Sequence, residues 1–149
     1  MHLKEQLKAE MLQAMKNQEK ERLMSIRMIN AAVKQQEVDS QTELNDHGVV
    51  SILVKMQKQH IDSIQQFSDA GRQDLVERES TQLSVVESFL PKPLTGEEIN
   101  QIIEAAFDAI QPESMKDMGK IMSFVKTDLE GRADMKVVSE AIKQRLAVL

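Results

Sequence analysis

The stretch LPKPLTGEE, residues 90–98, decides how this chain folds. Pro91 and Pro93 bracket Lys92, and neither can continue an α-helix, because proline lacks the N–H and its ring clashes with the preceding turn. Thr95 and Glu98 then form a T-x-x-E capping box, the signature of a helix start. One helix therefore ends near residue 90 and another opens at about residue 96. On both sides of this break apolar residues recur at helical spacing. The reading is an all-α chain of two domains: residues 1–92 form a four-helix N-terminal domain, and residues 93–149 form a three-helix C-terminal tail.

Working outward on the N-terminal side, Leu3, Leu7, Met11, Ala14 and Met15 predict a first helix to about Met15, with a break at Asn17-Gln18. Leu23, Ile26, Ile29 and Val33 predict a second helix ending near Gln36, followed by a loop from Val38 to Glu43. Asn45 or Asp46 can cap a third helix. Its stripe is Val49, Leu53, Met56, His60, Ile64 and Phe67, and Gly71 suits the left-handed position that stops it. A fourth helix from about Asp74 turns Val76, Leu83, Val86 and Leu90 inward. Beyond the break, Ile99, Ile102, Ile103, Ala106, Phe107 and Ile110 predict a fifth helix that Pro112 interrupts. A sixth is expected over Met118–Leu129 and a seventh over Met135–Ala147.

Composition agrees with helices. The chain has 149 residues, with five Gly, three Pro, four Phe and no Trp or Tyr. Met, Leu, Ala, Lys, Glu and Gln dominate, and all favour helix. Net charge is −5, which excludes a broadly basic nucleic-acid-coating surface but not a local basic patch. Residues 1–92 carry 12 basic and 14 acidic groups, and residues 93–149 carry 7 and 10, so neither half is a basic domain. There is no Cys, hence no disulfide, thiolate metal site or Cys nucleophile. No apolar run reaches the ~20 residues of a membrane span, and MHLKEQLKAEM has no apolar leader core. From these features a cytoplasmic protein is expected, with no membrane or DNA partner.

Catalytic signatures are missing. There is no phosphate loop, GxGxxG, HExxH or GxSxG, and the carboxylates are dispersed as on solvated helix faces. The three His are scattered. His60 has Met56 and Ile64 as helical neighbours, which are not metal partners, so it reads as a packed structural residue. No catalytic residue, metal site or cofactor is expected. Lys20, Arg27 and Lys34 share one face of the second helix and read first as a solvated stripe, with an RNA- or partner-facing stripe as the alternative. The ten Met could form a plastic binding surface, but most sit at core-like spacing and read as core.

The tail segment KDMGKIMSFVKTDLEGRADMK, residues 116–136, is different. Asp117 can cap the sixth helix, placing Gly119 and Lys120 in its first turn, where backbone N–H groups beside a lysine can hold a phosphate. Gly131 fits the left-handed position after that helix, and Asp134 can cap the seventh. The glycines thus shape a helix and its turn. Lys116, Lys120, Arg132 and Lys136 cluster around this helix–turn–helix corner and form a candidate RNA-binding set that contacts phosphates. The absence of exposed-looking aromatics argues against stacking of single strands.

These segments, taken in order, resemble the GatB/YqeY family, in its small stand-alone YqeY-type form. LKAEMLQAMKNQEKERLMSIRMINAAVKQQEVD is similar to the family's opening helix pair. HIDSIQQFSDAGRQDLVERE is similar to its third-to-fourth helix turn, FLPKPLTGEEI to its inter-domain link, and KDMGKIM with GRADMKVV to its tail motif. The resemblance implies a four-helix domain and a three-helix tail. It also implies kinship with the tail of the B subunit of the glutamine-dependent Asp/Glu-tRNA amidotransferase, where that module contacts tRNA. The amidase subunit and kinase-like body that do the chemistry there have no counterpart here. The expectation is a non-catalytic, tRNA-binding accessory. A family-inherited label of carbon–nitrogen ligase with glutamine as amido donor finds no supporting residues. The alternative is a protein–protein adaptor for a translation or tRNA-charging enzyme. Family tails often read MGKVMGALMPKVKGRADGK; here Thr127 replaces Pro, Asp128 and Glu130 replace Lys, Leu129 replaces Val, and Met135 replaces Gly. Two cations give way to two anions, so RNA affinity is expected to be lower than for a Lys-rich tail.

Overall fold

The computed structural model describes residues 2–149. The described residues form seven α-helices and one short 3-10 turn, and no strand. They fall into two compact units that meet in sequence between Leu90 and Pro91.

The first unit holds α1 (Leu3–Lys16), α2 (Lys20–Ser40), α3 (Asp46–Asp69) and α4 (Gln73–Ser88). Its core joins Leu7 and Ala14 of α1, Ile26, Ile29 and Val33 of α2, Val49 and Leu53 of α3, and Val85, Val86 and Phe89 of the α4 end. The break after α1 is where expected: Gln18 takes a left-handed φ of 57°. α2 runs to Ser40 rather than stopping near Gln36. Nothing between those positions breaks a helix, and the Ser40 hydroxyl donates to the Gln36 carbonyl at 2.8 Å. The helix ends only at Gln41, which is left-handed, with the Thr42 N–H donating to the Glu37 carbonyl.

Asn45, not Asp46, caps α3, its Oδ1 accepting from the Gly48 N–H at 2.9 Å. Asp46 instead accepts from the Leu3 N–H at 3.0 Å and so helps hold the start of α1. Gly71 takes the expected positive φ of 71°. On α4 only Val86 of the expected inward set is fully buried; Val85 and Phe89 go deeper than Val76, Leu83 and Leu90, because the helix is rotated slightly from the face read off the sequence.

Glu37 ties three segments together. Its carboxylate accepts from Lys4 Nζ at 2.6 Å and from the Leu44 N–H at 2.8 Å. The Lys4 bond, then the Leu44 N–H, hold this carboxyl below the usual carboxylate range. A carboxyl whose folded pKa is depressed stabilises the fold above its unfolded pKa, and that stability is lost as pH falls through the folded value. Glu37→Gln is therefore expected to flatten the loss of stability below about pH 4.5. Urea midpoints of both proteins between neutral and acid pH check this; parallel acid limbs would show that Glu37 plays no part.

The second unit holds α5 (Gly96–Ile110), the 3-10 turn (Met115–Asp117), α6 (Met118–Leu129) and α7 (Met135–Ala147). The capping box forms in full: Thr95 Oγ1 accepts from the Glu98 N–H, and Glu98 Oε1 accepts from the Thr95 N–H, both at 3.2 Å. The core consists of Ile103 and Ala106, Ile121, Val125 and Leu129, and Val138, Ile142 and Leu146. On α6 and α7 these recur every four residues, one turn apart on a single face. Gly131, with φ 79°, follows α6 in the conformation that glycine adopts without Cβ strain. The Leu94 N–H donates to the Arg132 carbonyl at 2.8 Å, so the entry to α5 is stitched to the α6–α7 turn.

Candidate nucleic-acid interface

Apart from Lys92, the second unit carries its cations beyond α5, where Asp117, Asp128, Glu130, Asp134 and Glu140 are interleaved with them. α5 carries Glu97, Glu98, Glu104 and Asp108 and no cation. From residue 115 onward come Lys116, Lys120, Lys126, Arg132, Lys136, Lys143 and Arg145. Lys116, Lys120, Lys126, Lys136 and Lys143 are exposed and Arg132 is half-buried. Arg145 stacks its guanidinium over the Phe107 ring at 4.6 Å. Lys126 and Lys143 are exposed cations of the same hairpin with no motif to mark them; only their place outside the core stripes of α6 and α7 could have singled them out.

The four expected residues do not meet at one corner. Lys116 lies in the 3-10 turn and Lys120 in the first turn of α6, whereas Arg132 and Lys136 lie beyond its far end. α6 has 12 residues, and at a rise of 1.5 Å per residue the two pairs stand roughly 15–20 Å apart along it. The sequence segment is short, but it is helical and therefore extended. The result is two cationic ends rather than one pocket.

The phosphate cradle expected at the start of α6 is also rearranged. Asp117 makes no cap on α6. Its carboxylate turns back to accept from the Glu113 N–H at 2.8 Å. That bond first, then the Ser114 N–H and Lys120, keep the acid below its ordinary pKa. The Lys116 N–H goes to Ser114 Oγ, the Asp117 N–H to the Ser114 carbonyl and the Met118 N–H to the Met115 carbonyl. The 3-10 turn thus engages the Lys116, Asp117 and Met118 N–H groups, and Asp117 places its carboxylate, rather than a cap, at the entrance to α6. Lys120 Nζ lies 3.7 Å from Asp117 Oδ1 with its side chain 74% exposed, a pairing too solvated to hold it firmly. At the other end Asp134 caps α7 as expected, its Oδ1 accepting from the Lys136 N–H at 2.9 Å. Asp128 is exposed in the last turn of α6 and Glu130 is half-buried in the turn itself.

Two expectations about apolar groups need correction. Phe124 is 46% exposed on α6, so an aromatic face is open to solvent after all. Its position three residues after Ile121 fits a helical stripe as well as its neighbours do; Ile121, Val125 and Leu129 fill the inner face and leave no room for it. Met15, Met24, Met28 and Met115 are likewise between 41% and 51% exposed rather than in a core. Met24 borders a cleft of about 540 Å³ between α2 and α4, lined also by Glu21, Ser25, Asp74, Glu77 and Arg78. Lys20, Arg27 and Lys34 are exposed.

His60 is buried, as expected, with a partner no helical spacing could reveal: its Nδ1 lies 2.6 Å from Glu79 Oε2 on α4. Among the described residues no group of three or more His, Cys, Asp or Glu could hold a metal ion, and no helix is long and apolar enough to cross a membrane.

Fold and surface together define a small all-helical protein of two units, the second presenting lysines along a helical hairpin. A family model described as Yqey-like protein matches residues 4–146, and the chain belongs to that family. It is 31% identical to the protein named "Altered inheritance of mitochondria protein 41, mitochondrial" of Pyrenophora tritici-repentis, over 93% of this chain and 77% of that one. Proteins of the same name from Lachancea thermotolerans and Kluyveromyces lactis are 25% and 24% identical. The alignments cover 91% and 96% of this chain, and 76% and 75% of theirs. All three relatives are named as mitochondrial. The expectation of a cytoplasmic location is overturned by them. A sequence without Cys and described residues without a helix able to cross a membrane do not specify a compartment.

Proposed function

We propose that the protein is an RNA-binding accessory that docks structured RNA, such as tRNA, through phosphates on its second unit. The observation that carries this reading is the placement of the cations: none on α5, and exposed lysines at both ends of α6, set among Asp117, Asp128, Glu130, Asp134 and Glu140. Lys116 and Lys120 would contact one stretch of backbone, and Arg132 and Lys136 another. The spacing of the two ends suits a folded RNA with two backbones in reach better than a single bound phosphate. Phosphate contacts of this kind position a nucleic acid without reading its sequence.

The test is a titration of the full chain with bulk tRNA at low and near-physiological salt. With about four phosphate contacts, affinity should fall on the order of 100-fold between 50 and 200 mM salt. Arg132→Glu and Lys136→Glu should each weaken low-salt binding about tenfold and flatten the salt slope. Lys136 is exposed in the first turn of α7, where a carboxylate suits the helix dipole, so that variant keeps its fold. Salt-independent binding, or two variants that bind like the parent, would remove the site.

A second reading, an adaptor that docks on a translation or tRNA-charging enzyme, draws on the first unit. Met24 and Met28 stand one turn apart and exposed on α2, and Met24 borders the α2–α4 cleft. Exposed methionines make adaptable contact surfaces. A protein partner retained after nuclease treatment, and lost on Met24→Glu with Met28→Glu, would favour it.

A further inference from the structure

The outer face of α6 carries a cation and an aromatic one turn apart. Lys120 and Phe124 are four residues apart on one helix, which brings their Cβ atoms within about 6 Å. Both point to solvent: the Lys120 side chain is 74% exposed and Phe124 46%. Lys116 precedes Lys120 at the entrance to the helix, and Asp128 follows Phe124 by one further turn. The other phenylalanines do not offer an open ring: Phe89 is buried, Phe67 is half-buried, and Phe107 lies under Arg145.

We infer that Lys120 and Phe124 form a subsite for one nucleotide of unpaired RNA, the ammonium holding its phosphate and the phenyl ring stacking its base. This rests on the RNA-docking reading and narrows its ligand to RNA with a single-stranded or flipped-out base. A nucleotide separates phosphate and base by a span similar to one helical turn, so a single residue of RNA can satisfy both groups. Stacking is indifferent to base identity because every base has a π-face. The flanking charges orient the ligand. Phosphate is attracted at the Lys116–Lys120 end, where two ammonium groups outweigh the Asp117 carboxylate 3.7 Å from Lys120, and repelled at the Asp128 end, so a reversed nucleotide is disfavoured. With one open ring, the subsite grips one base and does not run along a strand.

The experiment compares a short single-stranded RNA with a blunt duplex of the same sequence at low salt. Phe124→Ala should weaken single-strand binding about tenfold or more, the usual loss for a stacked base, and leave duplex binding unchanged. The chain has no Trp, so Phe124→Trp supplies a lone reporter. Its emission should be quenched by the single strand and not by the duplex. If single strand and duplex both bind the parent and Phe124→Ala alike, stacking is refuted while phosphate docking survives. If the parent binds neither RNA, docking and stacking fall together. If Phe124→Ala instead abolishes self-association seen on a sizing column, the ring is covered by a second copy and the inference is overturned.

Discussion

Leu129→Ala is expected to strip hydrogen-exchange protection from the amides of α5, α6 and α7. Leu129 is fully buried and closes the core stripe that Ile121 and Val125 begin on α6. Truncating a buried leucine removes transfer free energy and leaves a cavity, costing about 2–5 kcal/mol. A unit of about 60 residues is marginal, with a stability on the order of 3–9 kcal/mol at usual per-residue values. One such substitution thus takes a large share of what holds the three helices together. Relaxation offers little relief. The end of α6 is pinned by the Arg132 N–H donating to the Leu129 carbonyl at 3.0 Å and by the left-handed Gly131. Val137→Ala provides the contrast, because Val137 is 63% exposed and surface truncations usually change stability by no more than about 0.5 kcal/mol. Exchange rates in α5–α7 that are equal for Leu129→Ala and Val137→Ala would show that the core of the second unit is not the three-helix cluster described above.

Glu79→Ala should destabilise the first unit more than replacing both members of its buried pair. The 2.6 Å contact between His60 Nδ1 and Glu79 Oε2 joins α3 to α4, with the two side chains 9% and 21% exposed. Removing the carboxylate leaves a ring nitrogen facing protein with no hydrogen-bond partner from that side, at a cost of about 1–3 kcal/mol. Replacing His60 and Glu79 together by leucine removes both polar groups and their desolvation cost, so the double variant should fall near the parent. The check is a set of urea midpoints for the parent, both single variants and the double. Additive losses would mean that the two side chains do not act as a pair. Neither residue's neighbours along its own helix hint at this contact; they are 19 positions apart and meet only because α3 and α4 pack side by side.

The same division runs through the candidate site. Gly131, Asp134 and the Thr95–Glu98 box were legible because each acts within three or four residues, through a backbone angle or a hydrogen bond that the local sequence specifies. The break at Pro91–Pro93 and the seven helices were legible for the same reason, as was the family, whose motifs lie in order along the chain. The end of α2 was misjudged because polarity without a breaker does not stop a helix. Asp117 was misread as a helix cap because its carboxylate had a nearer donor in the Glu113 N–H, made available by a 3-10 turn that no periodicity announces. Phe124 was missed because an exposed and a buried residue can differ by one step, a 100° rotation about the helix axis, and only the packed core of Ile121, Val125 and Leu129 settles which way the helix faces.

By itself the sequence determined an all-helical chain, the places where its helices start and stop except the end of α2, and the family to which it belongs. Those properties are carried by hydrogen bonds, backbone angles and periodicity confined to one or two turns. The tertiary structure decided the rest: the His60–Glu79 pair, the Leu94–Arg132 stitch, the outward ring of Phe124, and the parting of Lys116 and Lys120 from Arg132 and Lys136. Each depends on how a rigid helix spaces and turns its residues, and on which distant segment packs against it.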